Sequence, residues 1–440
     1  MMKKVLSGLL LFALLFGSFY GCGETPAGSA TGETIEAESA ASNTALPADP
    51  VKSVAAPLEK VPDYTLSEGA STDQMRRMAI QAMRDMLSVH WTPAETFTYG
   101  KEGTGAGKTF RFVKGKTYAG LPYTDAGTHL FQFLEYYDFE TGVLNLDFSK
   151  VNSLVGNVCG GAVIYGWSSV CPGITGEFQS GAMTRAQGIV PVGPYTYDES
   201  ITSFHPAGHQ TVDICRQNGE KVMFESYAAV KFGDGITSSG ENSLGRHTLM
   251  CIENARVERD AAGNILPDKS FLVVQDQRMG GFEVKEGEET VSYMGRLSAE
   301  ISFTELFHDS FLPITPREFA EGTPYKNAEV TFTPSEGANE IEKFLSGTLE
   351  SNYVLAVVKC TLTAADGSVV DEKIDCQHIP DIISGEAFCY HLEKSGFAKP
   401  HSTDTLFSSK LEKGKTYTLT LTARPVTGKL FTALQFEFIA

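Results

Sequence analysis

The chain has 440 residues and a formal net charge of −18, from 36 basic and 54 acidic side chains. This acidic excess argues against nucleic acid as a partner, because the phosphate backbone would be repelled. The hydrophobic content of 42% is enough for a folded globular protein and excludes a largely disordered chain.

The N-terminus has the pattern of an export signal. Two lysines precede a short apolar run over residues 5–16, which is too short to cross a membrane as a mature helix. This pattern predicts a signal peptide over residues 1–21. Gly21 then precedes Cys22, and a small residue before a cysteine is typical of bacterial lipoprotein processing sites. We therefore predict that Cys22 is acylated and anchors the protein to the outer face of the cell membrane, with plain secretion as the alternative.

A tether and a helix follow the signal. Residues 22–65 are rich in Ala, Ser, Thr, Glu and Pro and nearly free of aromatic residues, which predicts a disordered tether. Ser71 and Gln74 then have the spacing of a capping box. Apolar residues recur at helical spacing from there to Leu87, so the sequence predicts an amphipathic helix.

The pattern in the middle of the chain changes from helical to alternating. Residues 129–139, with the sequence HLFQFLEYYDF, predict a second helix. Beyond residue 188, short alternating runs broken by Gly and Pro predict strands, including one in residues 221–236. Two later runs, which begin near His247 and Phe271, are predicted to pair as a hairpin through a turn that contains a Gly-Asn pair.

The last part of the chain alternates strictly between apolar and polar residues from about residue 325 onward. This pattern predicts a separate antiparallel β-sandwich. The predicted fold class is therefore α+β, with four segments: a signal peptide over 1–21, a tether over 22–65, a first folded domain over 66–324 and the β-sandwich over 325–440.

Cys159 is the candidate nucleophile, because it opens an apolar helical run that ends at Pro172. The thiolate is the reactive form of cysteine, and the N-terminal turn of a helix favours it through unpaired N–H groups and the helix dipole. Gly160 and Gly161 would let a substrate approach the backbone closely, and the Cys159 amide could stabilise an oxyanion. The competing interpretation is that Cys159 is a small buried hydrophobic residue.

His247 is the candidate general base, because it starts a strand after a glycine-rich loop. A cysteine on a helix followed by a histidine on a strand is the order of papain-like enzymes, in which a third polar residue orients the imidazole. The next predicted strand places Gln275 and Gln277 on one face and Asp276 on the other. We predict that Gln277 orients the ring, with Gln275 next in line for that role and otherwise in contact with substrate.

Five short segments follow one another in a familiar order: YAGLPYT, NVCGGAV, KFGDGI, GRHTLM and VVQDQ. In this order, residues 72–320 resemble the NlpC-type papain-like cell-wall peptidases, in particular lipoprotein-borne relatives found in clostridia. The resemblance implies that Tyr118 lies near the sulfur and helps to bind substrate. Gln275 and Gly160 are also predicted to contact substrate. It also implies hydrolysis of amide bonds in peptidoglycan stem peptides, with no cofactor and no metal.

Four alternatives stay open. Four side chains of the types that bind zinc lie near one another in sequence: Cys376, His378, Cys389 and His391. Within each Cys-His pair the two residues are closer together than in the usual structural zinc sites, which favours strand packing or a disulfide. His205 and His209 are expected to contact substrate rather than a metal. The other cysteines either form disulfides or stay reduced. Finally, the chain could be a non-catalytic envelope lipoprotein that binds cell-wall or peptide ligands in the same cleft.

Overall fold

The computed structural model describes residues 58–99, 110–124, 126–174, 188–198, 210–240, 247–337, 346–375, 381–383, 387–392 and 410–440. The fold is mixed α+β, built mostly of open sheets with few helices. The predicted signal peptide and Cys22 lie outside the described residues. None of the helices in the described ranges has the length and apolar character needed to span a membrane.

The helices of the described ranges are α1 (Thr72–Ser88), α2 (Leu130–Leu134), α3 (Val151–Leu154), α4 (Cys159–Ser168), α5 (Gln210–Ala228), α6 (Phe303–His308) and α7 (Arg317–Glu321). The strands of the first part are β1 (His90–Pro93), β2 (Phe97–Tyr99), β3 (Phe110–Phe112), β4 (Tyr118–Ala119), β5 (Tyr137–Asp138), β6 (Val143–Leu144), β7 (Ile189–Pro191), β8 (Gly235–Ser238), β9 (His247–Cys251), β10 (Phe271–Glu286), β11 (Glu289–Ser302) and β12 (Leu312–Pro316). The strands of the last part are β13 (Val330–Pro334), β14 (Gly347–Ser351), β15 (Leu355–Ala364), β16 (Val369–Asp375), β17 (Asp381–Ile383), β18 (Ala387–His391), β19 (Thr416–Pro425) and β20 (Phe431–Ile439).

One large sheet organises the first part of the chain. Its strand order is β5-β6-β1-β4-β11-β10-β9-β8-β12-β7, and the central strands β11, β10, β9 and β8 are mutually antiparallel. Strands β2 and β3 form a separate hairpin. The last part contains two four-stranded antiparallel sheets, in the orders β13-β14-β18-β17 and β16-β15-β19-β20. The strands predicted beyond residue 325 are therefore confirmed as antiparallel strands.

Helices α1 and α4 pack against each other and against the centre of the large sheet. The predicted capping box at the start of α1 is confirmed, because the Ser71 and Gln74 side chains each bond the other residue's backbone N–H. The two helices approach closely at Gly166. A side chain at that position would lie 2.8 Å from Met250 and 2.9 Å from the Ala79 carbonyl oxygen. Glycine thus lets α4 lie between α1 and β9.

The stretch over residues 221–236 was predicted as a strand, and for most of its length this prediction is wrong. Helix α5 runs through it to Ala228, and only the end of the stretch enters β8. The buried residues Met223 and Tyr227 are four apart, which is the helical spacing. The helix was hard to recognise because Gly219 interrupts it with φ of 74°.

The predicted hairpin partners β9 and β10 are confirmed as antiparallel neighbours, with Val274 opposite Cys251. In the connection between them, Gly263 has φ of 87° and the Asp260 carboxylate accepts backbone N–H groups, as expected of a turn. The predicted second helix is shorter than expected. It is a single turn, α2, followed at once by strand β5.

The C-terminal sheets pack on the first part of the chain. The Tyr353 hydroxyl lies 3.3 Å from the Val170 carbonyl oxygen, and Lys359 forms an ion pair with Glu135 at 2.5 Å. Tyr325, at the predicted domain boundary, is buried and exchanges backbone hydrogen bonds with residues 69–70. One buried apolar cluster contains residues from both sides of this boundary.

The described chain begins to pack before the end of the predicted tether. Tyr64 is fully buried, and its amide donates to the Thr427 carbonyl oxygen at 2.7 Å. Its hydroxyl donates to the Asp85 carboxylate at 3.1 Å. The tether boundary at residue 65 is therefore corrected to a position before Tyr64, because this aromatic side chain belongs to the core. Residues 22–57 of the predicted tether lie outside the described ranges.

His129 is a buried histidine next to helix α4, and it gives the fold an acid-sensitive point. Its Nδ1 accepts the Phe131 amide at 3.4 Å, its Nε2 lies 3.2 Å from Ser169 Oγ, and its ring stacks on Phe131 at 4.6 Å. Burial lowers the pKa of His129 to about 3. The folded protein therefore holds this ring neutral, whereas an unfolded chain protonates it below its ordinary pKa of 6.5.

We expect His129 to make the protein lose stability as the pH falls below 6.5. Between that value and about 3 the unfolded state binds the extra proton, so acid favours unfolding. At pH 5 the loss should be about 2 kcal/mol. Denaturant unfolding at acid and neutral pH measures it, and His129→Gln should remove this share of the pH dependence. His308→Gln, at an exposed site, serves as the control. Equal pH dependence of wild type and His129→Gln would contradict the expectation.

Candidate functional site

Cys159 is the first residue of α4, as the sequence predicts. The residue that caps the helix, Val158, supplies no side-chain hydrogen bond, so no cap side chain occupies the amides of the first turn. The Cys159 side chain is 7% exposed. Gly160 is the next residue in the same buried turn of α4, directly after Cys159. The sulfur is thus placed at the positive end of a buried helix.

His247 is the first residue of β9, and the structure brings it to Cys159. The ring is 4% exposed, and its Nε2 lies 2.6 Å from the Asp276 Oδ2 atom. This contact leaves Nδ1 for the Cys159 side chain, to which the ring is also hydrogen-bonded. Burial disfavours a charged ring, but the Cys159 sulfur and the Asp276 carboxylate outweigh it and raise the pKa of His247 to about 9. The geometry therefore favours an imidazolium between two acidic groups.

Asp276 lies on β10 and is completely buried. Arg296, its direct neighbour on β11, donates from Nε to Oδ1 at 2.9 Å and from Nη2 to Oδ2 at 2.9 Å. Arg278 Nε lies 3.7 Å from the same carboxylate. Burial raises the pKa of a carboxyl, but the hydrogen bonds from His247 and Arg296 hold the pKa of Asp276 well below its usual range. The carboxylate is thus a fixed negative partner for the ring.

The prediction that Gln277 orients the imidazole is corrected by this arrangement, because Asp276 occupies that position. Side chains alternate along β10, so the residues on either side of Asp276 point away from His247. Gln277 Nε2 donates to the Leu121 carbonyl oxygen at 2.9 Å, and Gln275 Nε2 donates to the Ile80 carbonyl oxygen at 3.0 Å. Both glutamines are buried and fasten neighbouring segments to the sheet.

Tyr118, predicted near the sulfur, is a core residue of β4. Its hydroxyl accepts the Val113 amide at 2.8 Å, and its ring stacks on Trp91 at 5.2 Å. The tyrosine beside the nucleophile is Tyr123, whose hydroxyl lies 3.8 Å from the Cys159 sulfur. The chain turns at Gly120, which has φ of 86°, and this turn carries the later tyrosine to the site. The position predicted for Tyr118, beside the sulfur, is therefore that of Tyr123.

The segment that carries Tyr123 is held from two sides. Gln277 bonds its Leu121 carbonyl, and Tyr123 pairs with Asn157, two residues before the nucleophile. Gly156 makes this approach possible, because a side chain there would lie 2.2 Å from the Pro122 carbonyl oxygen. The tyrosine and the nucleophile helix are thus tied together by backbone contacts.

Comparison of the chain with protein-family models, with curated proteins and with solved structures finds no match.

Four further cysteines in the described part of the chain are free and buried: Cys171, Cys215, Cys251 and Cys360. Of the two alternatives left open by the sequence, disulfides or reduced thiols, the structure therefore shows reduced thiols at those residues. Burial raises the pKa of each of the first three thiols, so they are poor nucleophiles. Their surroundings differ from those of Cys159, which has a histidine partner.

The candidate zinc ligands are only partly described. His391 Nδ1 lies 3.0 Å from Thr348 Oγ1 on the neighbouring strand, and Cys389 is buried in β18. Cys376, His378, His205 and His209 lie outside the described residues. Within the described ranges, no group of three or more His, Cys, Asp or Glu side chains is arranged to hold a metal.

Asp276 and Arg296 are the site residues that the sequence interpretation missed. One signal was present: Asp276 lies inside a predicted strand that begins with the apolar run FLVV, and a charge there cannot be buried without a partner. The partner, Arg296, lies on the following strand, which the sequence does not mark as the neighbour of β10. The cysteine and histidine were recognisable because each starts a regular element.

Proposed function

We propose that the protein is a papain-like cysteine hydrolase that cleaves amide bonds in peptidoglycan stem peptides or related wall peptides. The observation that carries this proposal is the chain of contacts from Cys159 through His247 to Asp276. A nucleophile, a base in contact with it and a group that orients the base are the parts that acyl transfer by cysteine requires. The substrate class comes from the resemblance of residues 72–320 to NlpC-type peptidases.

In the proposed reaction, the Cys159 thiolate attacks the amide carbonyl carbon. The developing oxyanion is stabilised by the uncapped amides of the first turn of α4, including that of Cys159. The C–N bond then breaks as His247, protonated at neutral pH, gives its proton to the leaving amine. Water, activated by the neutral ring, hydrolyses the acyl-enzyme and restores the thiolate and the imidazolium.

Tyr123 supports the proposal from the other side of the sulfur. Its hydroxyl, 3.8 Å from Sγ, can donate a hydrogen bond to the thiolate or to a bound substrate. Gln277 contributes indirectly, because it fixes the segment on which Tyr123 lies. The proposed mechanism uses the named side chains and the backbone amides at the start of α4, and it needs no cofactor.

We propose further that the two C-terminal sheets form an antiparallel β-sandwich attached to the papain-like domain. A second apolar cluster supports this, since it combines residues from both sheets, including Leu349 and Tyr390 of one and Val358 and Leu419 of the other. The whole assembly is proposed to be secreted or held at the outer face of the cell membrane through acylated Cys22, where wall peptides are accessible.

Incubation of the protein with purified peptidoglycan tests the proposal. We expect soluble stem-peptide fragments with new amino termini, identified by mass spectrometry. A matched control is the same protein after iodoacetamide treatment, with labelling at Cys159 verified by peptide mapping. Labelling should be faster at Cys159 than at Cys171, Cys215 or Cys251, because only its sulfur has a histidine partner among these. Failure to release fragments, together with slow labelling of Cys159, would favour a non-catalytic binding protein.

A further inference from the structure

Arg296 holds the buried end of the candidate site. It lies directly opposite Asp276 in the antiparallel pair of β11 and β10, next to an irregularity in their register. Both of its bonds to the carboxylate measure 2.9 Å, one to each oxygen. A planar guanidinium bound to both oxygens allows the carboxylate one orientation, which a single contact would not do.

The orientation of Asp276 determines where the His247 ring points. Asp276 Oδ2 accepts from His247 Nε2 at 2.6 Å and from Arg296 Nη2, so the two donors share one oxygen atom. With Nε2 held there, the opposite edge of the ring is directed to Cys159. Rotation of the carboxylate would therefore move the base relative to the nucleophile.

The charges of the site also depend on Arg296. A thiolate at Cys159, an imidazolium at His247 and a carboxylate at Asp276 sum to one negative charge in a buried region. The positive charge of Arg296 brings this sum to zero. The Arg296 side chain is 23% exposed, whereas that of Asp276 is fully buried. Arg278 approaches the same carboxylate at the longer distance of 3.7 Å, and from α1 the Arg84 side chain donates to the Leu297 carbonyl next to Arg296.

We propose that Arg296 is a positioning residue, which fixes the Asp276 carboxylate against His247 and balances the charge of the buried triad. The inference rests on the proposed function, since it assigns Arg296 to the same site. It does not require the substrate to be known, because the state of the Cys159 sulfur is measurable without one.

The rate of Cys159 labelling by iodoacetamide, measured over a range of pH, tests the inference. In Arg296→Gln, the pH at which labelling begins should rise by about one unit, because the thiolate loses a nearby positive charge. Arg296→Lys keeps the charge but cannot bind both oxygens in one plane. Its labelling should begin at the wild-type pH and proceed several-fold more slowly.

Arg256→Gln is the matched control. It removes one positive charge from an exposed ion pair with Glu300 on the same strand, β11, and should leave the labelling profile unchanged. An unchanged profile in folded Arg296→Gln would overturn the inference, as would an equal shift in Arg256→Gln. If Arg296→Gln does not fold, the test rests on Arg296→Lys. Labelling of Arg296→Lys at the wild-type rate at every pH would then reject the positioning role of Arg296. Peptidoglycan digestion is scored separately, so failure of the hydrolase proposal would not be confused with failure of this one.

Discussion

Cys159→Ala should abolish release of peptide fragments from peptidoglycan, with a loss of about 10³-fold or more. The sulfur supplies the covalent step of the proposed reaction, and the described site offers no other thiol in contact with His247. The fold should survive the change, because alanine fits the first turn of a helix and removes only one buried atom. The measurement is the initial rate of amino-group release from purified wall material.

His247→Ala should cost nearly as much as Cys159→Ala, and the double variant should be little worse than either. Residues that act as one unit give losses that do not add. Cys215→Ala, at a buried thiol of α5, is the control and should keep wild-type activity within a few-fold. Full activity in Cys159→Ala, or strictly multiplicative losses in the double variant, would exclude a shared catalytic role.

Asp276→Asn should reduce the rate by about 10²- to 10³-fold. The asparagine oxygen can still accept one hydrogen bond, but the neutral amide no longer stabilises the imidazolium, and it leaves Arg296 without its charged partner. The stability loss should be of order 3 kcal/mol, so rates are to be compared at a temperature where thermal unfolding shows the variant folded.

Gln277→Ala separates the two assignments of the third residue. The side chain donates to the Leu121 carbonyl and is directed away from His247, so its removal should cost at least tenfold less activity than Asp276→Asn. A larger loss in Gln277→Ala than in Asp276→Asn would restore the glutamine as the orienting group and contradict the geometry of β10.

The features that the sequence predicts well are those with a local physical cause. The capping box of α1, the helix that starts at Cys159 and the strand that starts at His247 each follow from spacing over a few residues. The third member of the site depends on which face of β10 meets β9. Strand alternation places the glutamines and Asp276 on opposite faces, but only the assembled sheet shows which face meets the histidine.

Two other differences have the same origin in tertiary structure. The alternation in residues 221–236 predicts a strand, whereas helix α5, kinked at Gly219, buries Met223 and Tyr227 at helical spacing. From sequence, Tyr118 is the predicted neighbour of the sulfur, and Tyr123 follows it in the same segment. The bend at Gly120 and the backbone contact with Asn157 select the second tyrosine.

The hydrogen bond between Tyr64 and Thr427 sets an order of events in biosynthesis. A ribosome makes the chain from its N-terminal end, so Tyr64 exists long before the strand that precedes Thr427 has been translated. Arg424 belongs to the same late part of the chain, and in the folded protein its guanidinium lies over the Phe131 ring. Until Arg424 has been made, the surface around Phe131 is uncovered on that side. Contacts this distant in sequence form late and slow the completion of folding. The nascent protein therefore carries an uncovered apolar surface through most of its synthesis, and it is in this interval that it most needs protection from aggregation.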